Sequence, residues 1–223
     1  MSWIKQADEN VEQQEEMGGI SGISKTDAYE LEITEMYLKD SEMSKSMSVV
    51  VNAKTDDNET VKSYFTVQGK DGLGFYEKKG KKYEHFGIAS IRSLIRVALD
   101  KDLYDVEPTE GTYKQWDNEK KEMVEVKGRV FAELIGIKVG GTVQMTKTIA
   151  GADSKLTSDI THFFDLKTGL FANEEHSEGK RSKLDKWLNT KKEFKIVEEQ
   201  QRGSSFGKKK EEGGEKPKSK WSK

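Results

Sequence analysis

The chain has 223 residues, 33% of them hydrophobic and 35% charged, with a net charge of −2. That length carries one substantial core, and so polar a composition surrounds it with long solvated loops or tails. The absence of cysteine excludes a disulfide scaffold and thiolate-based metal or redox chemistry and suits a reducing cytoplasm, and no stretch is long and apolar enough for a signal core or a membrane span.

Residues 1–26 read as an acidic arm with a thin apolar stripe of Trp3, Ile4, Ala7 and Val11. A first strand is predicted over 27–39. Tyr29, Leu31 and Ile33 alternate with polar residues, and then the apolar parity switches to Met36 and Leu38. A switch inside one strand is the mark of a β-bulge. A second strand over 46–53 puts Met47, Val49, Val51 and Ala53 on one face, and Asp56, Asp57 and Asn58 supply a turn. In a third strand, 60–68, Val61, Phe65 and Val67 point inward while Lys62, Tyr64, Thr66 and Gln68 point outward. Tyr64 with Lys62 fits a base stacked beside a phosphate, although taken residue by residue an ordinary cross-strand tyrosine on a wet sheet face fits slightly better.

Three spaced glycines, Gly69, Gly72 and Gly74, lack the Gly-Lys-Ser/Thr ending of a phosphate loop. They lead into a near-palindrome, Tyr76-Glu77-Lys78-Lys79 and Lys81-Lys82-Tyr83-Glu84 about Gly80. This predicts a β-finger with lysines at its tip and Phe75, Tyr76 and Tyr83 at its base, the strongest nucleic-acid signal in the chain.

Residues 87–99 then form an amphipathic helix. Ile88, Ile91, Leu94, Ile95, Ala98 and Leu99 make the apolar stripe, with Arg92 and Arg96 opposite. A second hairpin is expected over 112–116 and 122–127, its Lys114 and Trp116 on one face. Trp116 is a stacking candidate or the residue that packs the hairpin onto its neighbour. Residues 129–139 are apolar on nearly both faces and predict a fourth, central strand. Gly140-Gly141 predicts a tight turn into a fifth, ending near Ile149. A further strand over 158–165, a short helix bearing Leu184, Trp187 and Leu188, and a last strand over 193–198 follow. From Gly203 the chain is rich in glycine, serine, lysine and glutamate. From Arg202 on, it carries Arg202 and seven lysines against three glutamates, a net +5 that leaves −7 on the rest.

Three strands, a helix and further strands describe a mainly β domain with one core helix. The five-stranded Greek-key barrel called the OB-fold, carrying an extra hairpin and strand extensions, fits this order, and so does a general α+β domain. On the OB reading the organisation is an arm (1–26), a nucleic-acid-binding barrel (27–200) and a basic tail (201–223).

Catalytic constellations are scarce. Asp159, His162 and Asp165 tempt a metal reading, but strand alternation sends His162 away from the two aspartates. Glu174-Glu175-His176 lacks the helical metalloprotease spacing. No cofactor, metal site or catalytic residue is expected, although a carboxylate-only metal nuclease stays open.

Tyr29-Glu30-Leu31-Glu32-Ile33, the Gly/Lys-rich stretch before Phe86-Gly87, a long hairpin over 129–149, and Thr161-His162-Phe163-Phe164-Asp165 with Lys167-Thr168-Gly169-Leu170 together resemble bacteriophage single-stranded DNA-binding proteins of the OB-fold type. The resemblance spans 27–197 and lies in pattern and order. It implies a barrel that coats single strands in phage replication, recombination or repair, in the cytoplasm of an infected host cell. Many such proteins end in an acidic tail with a terminal aromatic. Here Trp221 keeps the aromatic among basic residues, so acidic-tail autoinhibition is not expected.

The expected function is sequence-tolerant, non-catalytic binding of single-stranded DNA. Lys62, Tyr64, Phe75, Tyr76, Lys78, Lys79, Lys81, Lys82, Tyr83, Lys114 and Trp116 are the binding candidates. Lys218, Lys220 and Trp221 are candidates for docking a polymerase or another replication, recombination or transcription protein. The alternative is an interaction module whose barrel is a scaffold and whose basic tail meets an acidic partner.

Overall fold

The computed structural model of the protein describes residues 22–41, 44–117, 119–150, 153–174 and 182–198. The rest of the 1–26 arm, the 201–223 tail with Lys218, Lys220 and Trp221, and Glu175-His176 lie outside the described residues.

Strand β1 (Asp27–Asp40) organises the barrel. Its first half pairs antiparallel with β8 (Lys138–Ala150), and its second half with β2 (Met47–Lys54). One strand serves both neighbours because the register slips between Ile33 and Glu35, the bulge that the parity switch predicts. Leu31, Ile33 and Met36 therefore all face the core, and Tyr37 is buried on the opposite surface. β2 pairs with β3 (Thr60–Gln68), and β8 with β9 (Asp153–Phe164), giving the order β9-β8-β1-β2-β3. Helix α1 (Phe86–Leu99) lies between β3 and β8 in sequence and packs Ile91, Leu94 and Ile95 into the barrel end. This is the OB-fold, mainly β with one core helix.

Two insertions decorate it. The finger, β4 (Phe75–Lys78) with β5 (Lys81–Glu84), precedes α1 as a separate two-stranded sheet. The second hairpin, β6 (Thr109–Asp117) with β7 (Glu122–Val130), follows it. Helix α2 (Lys183–Thr190) and β10 (Lys195–Glu198), parallel to β8, end the described chain.

The second half of the barrel differs from the expectation. Residues 129–139 are not one central strand: β7 ends at Val130, a 3-10 turn covers Ala132–Leu134, and β8 begins at Lys138. The segment is apolar throughout because its residues serve different cores. Val130 joins Tyr37 and Val50 outside the barrel, whereas Phe131 and Leu134 enter the main core. Gly140-Gly141 is not a turn either, but the interior of β8. A Cβ at Gly140 would lie 2.2 Å from the Phe164 ring and one at Gly141 2.4 Å from Leu31, so the glycines are clearance for neighbouring side chains. The expected fifth strand thus lies within β8, which takes only Lys138 and Val139 from the expected fourth, and the "further" strand is the fifth strand of the barrel, β9. The long hairpin is accordingly β8–β9 and not 129–149. The end of the arm also belongs to the barrel, since Ile23 is buried and its N–H donates to Thr60 O at 3.0 Å.

Candidate nucleic-acid interface

The outer face of β1-β2-β3 is a grid set by register. Tyr37, Val50 and Tyr64 lie abreast in one row, and Glu35, Asn52 and Lys62 in the next. The β6–β7 hairpin docks on the β1 side of this grid. Tyr113 stacks on Tyr37 with centroids 3.7 Å apart and planes 8° from parallel, and Gly128 leaves room for the Tyr113 ring. Tyr113, not Trp116, therefore packs the hairpin. Glu35 is fully engaged, accepting from Asn52 Nδ2 at 2.6 Å and from the Lys114 N–H at 2.9 Å. The Tyr37 hydroxyl is buried with no partner among the described residues, and burial, with Tyr64, Glu35 and Tyr113 around it, pushes its pKa strongly up.

Tyr64, at the β3 end of the row, is 54% exposed. The Lys62 ammonium lies 5.7 Å from the Tyr64 centroid and 5.9 Å from that of Tyr37. Burial against these rings lowers the Lys62 pKa, opposed by Glu35. Lys62 and Tyr64 thus form one cation–aromatic surface.

Beyond Tyr64 the barrel has a seam. β3 and β9 share no ladder; the Ile160 N–H donates to Ser63 Oγ across them at 2.8 Å, and the Phe65 and Phe163 rings pack beneath, 5.9 Å apart. The finger stands over this seam. Lys79 and Gly80 make its two-residue turn with φ of 53° and 72°, the left-handed pair a tight hairpin requires. Tyr76 and Tyr83 are cross-strand partners with rings 5.7 Å apart, and Lys78 and Lys81 share their face. Phe75 and Lys82 occupy the opposite face, with the Lys82 ammonium 4.9 Å from the Phe75 ring centroid. At the finger's base the Arg92 guanidinium donates to both Glu84 oxygens, at 2.9 and 3.0 Å, and holds the Glu84 carboxyl below its ordinary pKa.

Finger, seam and helix start enclose a cleft of about 900 Å³. Its walls include Tyr64, Tyr76, Tyr83, His85 and Phe86, the last 72% exposed. The β9 wall carries Asp159, Thr161 and His162. A bulge places Thr142 opposite His162 and Val143 opposite Ile160, leaving Thr161 extra. Strict alternation therefore fails here: Ile160 and Phe163 are both buried, and Asp159 and His162 share the cleft wall. Asp165 takes no part, since its carboxylate accepts from the Lys167 and Thr168 N–H groups and the Thr168 hydroxyl. Among the described residues no three potential metal ligands converge. The His162 ring stacks on Phe171 at 5.2 Å, and burial lowers its pKa. A second cavity of about 520 Å³ lies between the α1 C-terminus and the 165–174 turn. Its Arg96 is already bound to Asp102 and Asn173.

The structure thus brings Tyr64, Tyr76 and Tyr83 into one cleft, with Lys62 beside Tyr64 and Lys78 and Lys81 on the tyrosine face of the finger. Phe75 and Lys82 face the other way, and Lys79 is in the turn. Trp116, 52% exposed beside Met123 across the hairpin, and Lys114 are on the face of β6 opposite Tyr113, away from the cleft. Sequence reasoning missed His85, Phe86, Asp159 and His162 as cleft residues. The three-residue spacing of Ile160 and Phe163 was the available signal for the last two.

No protein-family model matches the chain, and no curated protein matches it either. Fold and site together define the class from geometry: an OB-type barrel with an aromatic cleft across its β3–β9 seam.

Proposed function

We propose that this protein binds single-stranded DNA without acting on it chemically, in support of DNA replication, recombination or repair of the kind phages carry out. The observation that carries the reading is the cleft itself. Three tyrosines and Phe86 surround a space of about 900 Å³ and remain accessible in it. Rings left in water at a sheet surface gain by stacking on bases, about 1–3 kcal/mol per base, and every base offers such a face. Lys62, Lys78 and Lys81 border those rings and supply attraction to the phosphate chain. A duplex keeps its bases stacked on one another and offers them no such partner, so the reading requires a single strand.

The test is a fluorescence titration of a mixed-sequence single strand and its duplex at several salt concentrations, with and without magnesium. The expected result is saturable binding of the single strand, weakening with salt, with the strand recovered intact. Cleavage products would point to a nuclease. Absence of binding would point to an interaction module.

A further inference from the structure

The charge lining the cleft is unusual for a nucleic-acid site. Among the described residues its charged lining side chains are Glu84 and Asp159, with no lysine or arginine. Glu84 is neutralised by the two-pronged bond from Arg92. Asp159 has no such clamp: among the described residues its carboxylate has no hydrogen bond or ion pair, and partial burial raises its pKa, with the nearby charge of Lys195 opposing.

With no hydrogen-bonded cation among the described residues, the Asp159 carboxylate repels phosphate, so a strand whose phosphates meet Lys62, Lys78 and Lys81 would turn its bases toward β9. A carboxylate only accepts hydrogen bonds. Cytosine presents an N4 amino group that donates two, whereas thymine presents the O4 acceptor at the same position. Facing Asp159, thymine O4 meets a second acceptor and loses its hydration without replacement.

We infer that Asp159 is a specificity-determining residue that makes the cleft favour single strands bearing amino-substituted bases, cytosine among the pyrimidines, over thymine. The inference rests on the single-strand-binding reading above and adds a composition preference to an otherwise sequence-tolerant site. Cytosine and thymine are the informative pair because both are pyrimidines of similar stacking area, so the contrast isolates the base edge.

The experiment is competition of unlabelled oligo(dC) and oligo(dT) of equal length against a bound, labelled mixed-sequence strand, in mildly alkaline buffer where cytosine stays unprotonated. Oligo(dC) should compete at a concentration at least about fivefold lower than oligo(dT), the low end of what one base-edge contact discriminates. In Asp159→Asn the amide both donates and accepts. The ratio should then fall toward one, while affinity for both strands rises as an anion leaves the site. Equal or tighter binding of oligo(dT) by the wild-type protein overturns the inference, as does an unchanged ratio in Asp159→Asn. If the labelled strand itself is not bound, the underlying reading fails and the inference falls with it.

Discussion

At the scale of single residues, the stacking surface makes a sharp distinction between ring and hydroxyl. Tyr64 stands exposed at the end of the Tyr37–Val50 row, and its hydroxyl makes no hydrogen bond among the described residues. Tyr64→Ala should weaken binding of a mixed-sequence single strand by about 1–3 kcal/mol, and Tyr64→Phe should be nearly silent. A titration of both variants checks this, and equal losses in the two would remove stacking as the cause. Gly87 is a second residue with a single physical role. A Cβ there would lie 2.2 Å from Thr66 O and 2.7 Å from the Phe65 carbonyl carbon, where α1 crosses β3. Backbone on both sides has no rotamer to give way. Gly87→Ala should therefore cost about 1–3 kcal/mol of stability, as forced overpacking does, measurable by denaturant unfolding.

At the scale of elements, the finger combines a binding face with a defined anchor. Alternation along a two-stranded ribbon puts Lys78 and Lys81 with the tyrosines and Lys82 on the far side. Replacing Lys78 and Lys81 by alanine should flatten the salt dependence of binding by about 0.7 in log–log slope per lost phosphate contact. Lys82→Ala should leave that slope alone; an equal effect from Lys82 would mean that the strand wraps the other face. The anchor is the Glu84–Arg92 pair. Arg92 lowers the Glu84 pKa below its ordinary 4.5. A carboxyl depressed on folding contributes fully above its unfolded pKa, and the contribution fades as pH falls through the lower folded value. Acidification below 4.5 should therefore loosen the finger, seen as faster amide exchange over β4 and β5. Glu84→Gln should show the same loosening already at neutral pH. Because the pair is exposed, the global melting temperature should move little.

At the scale of the whole molecule, stability and net positive charge are held by different parts of the chain. The buried hydrophobic residues described run from Ile23 to Phe164, whereas the net +5 lies beyond Gln201. Truncation after Arg202 should leave the melting temperature unchanged. It should also lower single-strand affinity at low salt, with the difference shrinking as salt rises, because lysines near phosphate act through counterion release. Tighter binding after truncation would make the tail an inhibitor.

What the sequence determined by itself was everything set by local periodicity. The alternation of Val61, Phe65 and Val67, the Leu94–Ile95 stripe of α1, the parity switch before Met36 and the Lys79-Gly80 turn are each written within a few residues. So the first three strands, the finger, the helix and the exposed Tyr64 were legible. Tertiary structure alone decided what depends on a distant partner. Gly140-Gly141 reads locally as a turn, yet it is a strand because the Phe164 ring and Leu31 fill the space of the missing side chains. Trp116 and Tyr113 look interchangeable in sequence, and only docking on Tyr37 chose Tyr113 to pack and left Trp116 in solvent. The cleft was invisible for the same reason. Its walls come from β3, the finger, the start of α1 and β9, and a one-residue bulge at Thr161 turns Asp159 and His162 onto the same side, where alternation had set them apart.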